Sequence, residues 1–191
     1  LTALEQAVSK FNSSIASGTK GVSLAKGKTF TVKTAAGTLK YRVTSKGKVT
    51  LVRATKTKAK KVTVNTVKYK NYTYKVTAIA KGAFKGAKTK RVVIGANVRT
   101  IGSKAFASAK KLAAVTIGKN VKKVGAKAFS KAKKLKKVTV KSRKLTKKST
   151  VKNCLKGSKV KTVKLSKLGS KKSKVKRAFK RYAGKKGVVV K

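Results

Sequence analysis

Apolar residues fall into three successive rhythms along this chain. Over residues 1–18, Leu1, Leu4, Val8, Phe11 and Ile15 recur at alternating steps of three and four, which lines up one face of an α-helix. Ser17-Gly18 then supplies a stop. The spacing predicts an amphipathic N-terminal helix. Its Leu4, Val8, Phe11 and Ile15 face packs on the segment that follows or docks on another copy or another protein. Over residues 19–75 the period drops to two. "KTFTVKTAAGTLKYRVTSKGKVTLVRAT" and "KKVTVNTVKYKNYTYKV" alternate β-branched or aromatic residues with lysine and threonine, and break at Ala36-Gly37, Lys46-Gly47 and Asn71. Alternation sends neighbouring side chains to opposite faces of a strand, and Gly or Asn suits a tight hairpin turn. A hairpin-rich lead-in of about five strands is predicted. Val32, Leu39, Tyr41, Val43, Val49, Leu51, Val62, Val64, Tyr72, Tyr74 and Val76 form its inner face.

From residue 76 the period lengthens to a whole phrase. Residues 94–117 read "IGANVRTIGSKAFASAKKLAAVTI", and 117–140 read "IGKNVKKVGAKAFSKAKKLKKVTV". Phe84, Phe106 and Phe129 each follow an alanine, with Ile79, Ile101 and Val124 five residues ahead. Val92/Ile94, Val115/Ile117 and Val138/Val140 recur every 23 residues as a two-pronged strand, and Val163/Leu165 and Val188/Val190 continue the beat at 25. Cys154-Leu155 and Ala178-Phe179 stand where Ala-Phe stood. Self-similarity at this period marks a leucine-rich type of solenoid, in which no repeat buries its apolar face alone and stacked neighbours make one core. The phrase is written twice because each copy is the other's core. The last segment, with Val175, Phe179 and Tyr182 at helical spacing and a stop at Gly184, reads as a cap. The fold class expected is therefore α+β, with an amphipathic helix (1–18), a β-rich lead-in (19–75) and a capped solenoid (76–191). The solenoid is expected to hold about four to five repeats of 22–25 residues.

Composition adds a constraint the pattern does not show. Among 191 residues there are 56 basic side chains and one acid, Glu5, for a formal charge of +55. A hydrophobic share of 40% is enough for a packed core, so this is no disordered polycation. Only Arg42, Arg53, Arg91, Arg99, Arg143, Arg177 and Arg181 are arginine. Lysine is a hydrated point charge without arginine's planar fork, so its excess points to diffuse attraction for anions rather than reading of bases. With no histidine, no aspartate and one cysteine, metal centres, paired-carboxylate hydrolysis and Ser-His-Asp or Cys-His chemistry lack their parts. No cofactor is expected, and an enzyme is the least expected reading. No apolar run approaches the ~20 residues of a membrane-spanning helix. The chain opens on Leu1, so it is expected to be a processed or truncated fragment with any secretion signal upstream.

Residues 76–140 resemble the BspA-type leucine-rich repeats of bacterial surface proteins, whose phrase runs approximately I-G-x-x-A-F-x-x-C-x-x-L-x-x-V-x-I-x-x-x-V. Ile101-Gly102, Ala105-Phe106, Leu112, Val115 and Ile117 fit it, as do Val124-Gly125, Ala128-Phe129, Leu135, Val138 and Val140. Alanine stands for the usual cysteine at Ala87, Ala109 and Ala132, and the chain has no proline. The resemblance implies a secreted or wall-attached protein serving adhesion or surface interaction. An engineered lysine-rich scaffold and a basic protein binding nucleic acid non-specifically remain as alternatives.

The candidate anion-binding residues are the densest basic stretches of the repeats: Lys110, Lys111, Lys133, Lys134, Lys136, Lys137 and Arg143, then Lys176, Arg177, Lys180 and Arg181. Equivalent positions in stacked repeats lie roughly 5 Å apart. A lysine ladder so spaced repels itself inside the Debye length of ~8 Å, and a linear polyanion would relieve it. The partners expected are cell-wall polymers or acidic glycans, and a homo-oligomer or filament through the leading helix. Asn97 and Asn120 are expected to satisfy backbone groups within the solenoid turns, and Cys154 to be core. Tyr41, Tyr69, Tyr72 and Tyr74, interleaved with lysine, read as a half-buried sheet or as a stacking platform for single-stranded nucleic acid.

Overall fold

Three antiparallel strands open the described part of the chain. They are β1 (Thr29–Thr34), β2 (Gly37–Ser45) and β3 (Lys48–Thr55), with Phe30 opposite Tyr41, Val32 opposite Leu39 and Val43 opposite Val49. The computed structural model describes residues 23–191 apart from Lys56 and Lys58. The helix expected over residues 1–18, with Leu4, Val8, Phe11 and Ile15, lies outside them. Turns fall where the alternation breaks: Gly47, at the β2–β3 turn, takes a φ of 67°, a conformation glycine adopts without steric cost. Leu39, Tyr41, Val43, Val49 and Leu51 are buried as expected, whereas Val32 and Tyr72 are only half-buried.

The hairpins do not form a separate sheet. β3 pairs in parallel with β6 (Tyr72–Ile79), which also takes β5 (Thr66–Tyr69) as an antiparallel neighbour. Beyond β6 the same sheet continues in parallel through β8 (Thr100–Ile101) and β10 (Lys123–Val124), both inside the repeats.

A second sheet is parallel throughout. Its order is β4 (Lys61–Val64), β7 (Arg91–Ile94), β9 (Ala114–Ile117), β11 (Lys137–Val140), β12 (Thr162–Leu165) and β13 (Val189–Val190). Val62, Val92, Val115, Val138, Val163 and Val190 lie in one register row across it. Two details differ from the repeat count. β4 supplies a sixth strand from within the segment read as lead-in. Val190 rather than Val188 lies opposite Val163, so the last interval is longer than 25 residues. A helical cap intervenes there and lengthens the chain between the two strands. The α-helices among the described residues are α1 (Lys148–Val151) and α2 (Lys172–Tyr182), the second entered through a 3₁₀ turn at Gly169–Lys171. The described chain is therefore mostly β rather than α+β, because left-handed residues such as Lys104 and Ser108 interrupt the segments between strands before a right-handed helix can propagate.

The repeats are held by what lies between the two sheets. Phe84, Phe106 and Phe129 are fully buried and stack with ring centroids 4.9 and 5.4 Å apart. Their backbones are bonded repeat to repeat: Phe84 N–H donates to Ala105 O at 2.7 Å, and Phe106 N–H to Ala128 O at 2.8 Å. Further on, Asn153 N–H donates to Tyr182 O and Leu155 N–H to Ala183 O. The residues that carry the ladder into the cap are thus Tyr182 and Ala183, not Ala178-Phe179. Those two are buried on the inner face of α2 together with Val175.

The glycines of the repeated phrase have a packing reason. A Cβ on Gly102 would lie 2.6 Å from the Lys81 backbone nitrogen, and one on Gly125 would collide with the Ser103 backbone nitrogen. Consecutive repeats touch main chain to main chain at this point. Gly125→Ala is therefore expected to cost ~2 kcal/mol or more, since backbone on both sides must give way. Chemical denaturation would measure it, and an unchanged midpoint would show that adjacent repeats can part here freely.

Candidate polyanion-binding surface

The register of the second sheet brings basic residues together across repeats. Two positions before the aligned valines stand Lys60, Lys90, Ala113, Lys136 and Lys161, whose backbones are bonded in sequence. Arg91 N–H donates to Lys60 O at 3.0 Å, Ala113 N–H to Lys90 O at 2.8 Å, and Lys161 N–H to Lys136 O at 2.9 Å. One position later Lys61, Arg91, Ala114 and Lys137 are paired strand to strand. Lys60, Lys61, Lys90 and Arg91 line a groove of about 390 Å³ whose small walls are Ala113 and Ala114. Four positions before the valines comes another row, Lys88, Lys111, Lys134 and Lys159, all exposed. Neighbouring strands sit about 4.8 Å apart, so adjacent cations within a row lie inside a Debye length of ~8 Å, except across Ala113 and Ala114, which break the first two rows. The only acidic side chain in the sequence is Glu5, so residues 23–191 hold no side-chain carboxylate to neutralise them.

The sequence-derived candidates sort onto these features. Lys136 and Lys137 stand in the first rows, and Lys111 and Lys134 in the row behind, with Lys110 and Lys133 beside them; all six are exposed. Arg143 follows β11, and its Nε donates to Lys167 O at 3.4 Å across the next loop. Lys176, Arg177, Lys180 and Arg181 are exposed on α2 rather than in the strand rows. The assembly candidates Leu4, Val8, Phe11 and Ile15 lie outside the described residues. Lys60, Lys61, Lys88, Lys90, Arg91, Lys159 and Lys161 were not among the candidates, yet they extend the same rows. A signal was present: the pentapeptide "KKVTV" occurs at 60–64 and again at 136–140. The long interval from Val62 to Val92 hides it from a search at fixed period.

The remaining singled-out residues have structural duties. Asn97 Nδ2 donates to Asn65 O at 3.2 Å, and Asn65 Oδ1 accepts from Asn97 N–H at 3.1 Å. Asn120 Nδ2 reaches Ala96 O at 2.9 Å. The asparagines thus tie repeat to repeat, and Asn65 begins the ladder. Tyr41 and Tyr74 are buried, with Phe30 5.5 Å from the first ring and 5.1 Å from the second. These two rings are core, not an exposed platform. Burial pushes the Tyr41 hydroxyl up to about 12.

Cys154 is fully buried, and desolvation raises its thiol from 9.0 to about 12, against smaller opposing backbone hydrogen bonds. The thiolate is the nucleophile. Disulfide reagents at neutral pH are therefore expected to label Cys154 only as fast as the protein unfolds; rapid native labelling would contradict its burial. Because the folded pKa is raised, this thiol contributes stability below about pH 9 that is lost as pH climbs toward 12.

Two parallel strand ladders, joined by turns of one repeated phrase around a stacked aromatic core, define a leucine-rich-repeat solenoid. Residues 61–182 match the model of the BspA type leucine rich repeat region in six copies, and the chain belongs to this family. The match begins at the first residue of β4. The fold is similar to the crystal structure of a leucine-rich repeat protein from Bacteroides capillosus, at 23% identity and a TM-score of 0.57, covering 71% of this chain and 98% of that one. A leucine rich cell surface protein from Faecalibacterium prausnitzii is 22% identical over 73% of this chain and 37% of its own, with a TM-score of 0.48. A leucine rich repeat protein of T. pallidum is 19% identical over 66% of this chain and 68% of its own, with a TM-score of 0.46. Comparison with curated proteins gives no match.

Proposed function

We propose that this chain is a secreted or cell-surface structural and adhesion module, non-enzymatic, that holds anionic polymers along its solenoid. Membership of the BspA-type family supports the surface location. One observation carries the choice of ligand: cations from stacked repeats fall into register rows, broken at Ala113 and Ala114, with no carboxylate side chain among them. A linear polymer with closely spaced negative groups, such as a cell-wall polymer or an acidic glycan, matches rows of charge at strand spacing. Affinity arises from many weak contacts and from release of the polymer's counterions. Nucleic acid would be held in the same way, without sequence preference, since the rows are lysine-rich and lack the bidentate fork that reads bases.

The test is a titration with a fluorescent acidic polysaccharide across a salt series, repeated with Lys134→Gln, Lys136→Gln, Lys159→Gln and Lys161→Gln combined. The variant should bind more weakly at every salt concentration and show a shallower salt dependence. Binding that ignores salt, or that is unmoved by the four substitutions, would reject the reading.

A further inference from the structure

We propose that the repeat turns build a discrete site for a phosphate-rich ligand, separate from the strand rows. It rests on the polyanion reading only for the sign of the ligand's charge. Arg53, Lys81, Lys85, Lys104 and Lys131 line one groove of about 470 Å³. These residues come from β3 and from the turns of three successive repeats, so the site exists only in the folded stack. Ser108 and Ser130 add hydroxyls to the wall, which Ala107 also lines.

Two of the groove lysines sit on left-handed backbone. Each turn holds two left-handed positions flanking the buried Ala-Phe or Cys-Leu pair. The first is Gly82, Lys104, Lys127 and Asn153, with φ of 66°, 53°, 54° and 52°. The second is Gly86, Ser108, Lys131 and Gly157, with φ of 74°, 55°, 55° and 71°. Glycine occupies such positions freely, whereas any L side chain there is strained. Lys104 and Lys131 hold that conformation at repeat positions where the same chain elsewhere uses glycine, and both line the groove, as does Ser108; Lys70, Lys127 and Lys167 hold it away from the groove. Glycine at these two positions would relieve the backbone, so exchanging the two lysines tests their side chains without a steric penalty to the fold.

The donor set selects the ligand class. Four ammonium groups and one guanidinium offer mobile point charges more than planar forks, and the serines add neutral donors. Such a set suits compact oxyanions with many acceptor oxygens and dense charge, which phosphate groups are, better than planar carboxylates. Five cations in one groove call for several negative charges, so an oligophosphate, or the phosphodiester run of a polymer, fits better than a single monoanion.

Calorimetry with inorganic tripolyphosphate at ~0.15 M salt, where the Debye length is ~8 Å, tests the proposal. The wild type should show one saturable site per chain. It should bind tripolyphosphate at least about tenfold more tightly than citrate, a difference of ~1.4 kcal/mol. Lys104→Gly with Lys131→Gly removes two cations and relieves two strained backbones. That variant should lose at least about tenfold in affinity while its melting temperature holds or rises. Lys81→Ala with Lys85→Ala should weaken binding comparably without touching a left-handed residue. Lys172→Gln with Lys174→Gln removes the same charge at exposed positions outside the groove and outside the rows, and should leave the site within about twofold.

Equal weakening by the groove and control variants, equal affinity for citrate, or a non-saturating isotherm would each overturn the proposal in favour of bulk attraction. A protein that holds acidic polysaccharide but shows no such tripolyphosphate site loses the groove and keeps the rows. The reverse result loses the rows and keeps the groove. To separate free oligophosphate from polymer, poly(glycerol phosphate) should compete for the site; if it does not, the ligand is a free oligophosphate.

Discussion

Phe106→Ala is expected to lower the unfolding free energy by ~3–5 kcal/mol, the range for truncating a buried aromatic. Phe106 is completely buried and stacked on both sides, 4.9 Å from Phe84 and 5.4 Å from Phe129. Truncation leaves a cavity between two rigid rings and removes two aromatic pairs, each worth ~0.5–1.5 kcal/mol beyond its buried area. In a solenoid each repeat contacts mainly its neighbours, so stability is close to a sum of repeat and interface terms. Damage in the middle of the stack therefore weakens two interfaces at once. Against a total stability of ~5–15 kcal/mol, such a loss is a large fraction. Urea denaturation followed by circular dichroism would measure it. Phe84→Ala, with a single Phe stacking partner on its repeat-facing side, should cost less. Equal losses would mean that the stack contributes nothing beyond buried area.

The second large effect concerns binding. Affinity for a long acidic polymer is expected to fall about a thousandfold between 50 and 200 mM salt. That follows if six or more lysines along the rows each release a counterion on contact, because log K then falls by ~0.7–0.9 per contact for every tenfold rise in salt. The rows at strand spacing supply more than six such positions, among them Lys60, Lys90, Lys136, Lys161, Lys111 and Lys134. Replacing four row lysines with glutamine should reduce the slope by about three units. Fluorescence anisotropy over the salt series reads both quantities. A slope near one or two would mean that only isolated lysines touch the polymer, and the row arrangement would then have no bearing on binding.

Salt also acts on the fold itself. A small domain is comfortable at a net charge of roughly 2 to 8, and this chain carries +55. The same repulsion that attracts a polyanion works against compactness, so the ligand and the salt both relieve it. The stacked rings and the valine row supply what opposes it: non-directional apolar burial that charge on the outer face cannot displace.

Much of this protein could be read from its residues alone. The solenoid, its stacked phenylalanines, the small residues beside them and the buried Cys154 were legible because apolar side chains recurring at one period have to be stacked to leave water. So was the excess of uncompensated lysine, which is composition. Local pattern also found the hairpins, since alternation and turn residues act within a few positions. Three features depended on tertiary structure. β4 belongs to the repeat sheet although Val92 stands thirty positions after Val62, and strand pairing depends on where chains meet rather than on how far apart they are in sequence. Val190, not Val188, closes the valine row, because the helical cap consumes residues that a fixed period cannot anticipate. The meeting of Arg53, Lys81, Lys85, Lys104 and Lys131 in one groove required both the sheet crossing from β3 into the repeats and the left-handed turns. Sequence specifies which side chains must be buried; the stacking of the chain on itself decides which of the exposed ones become neighbours.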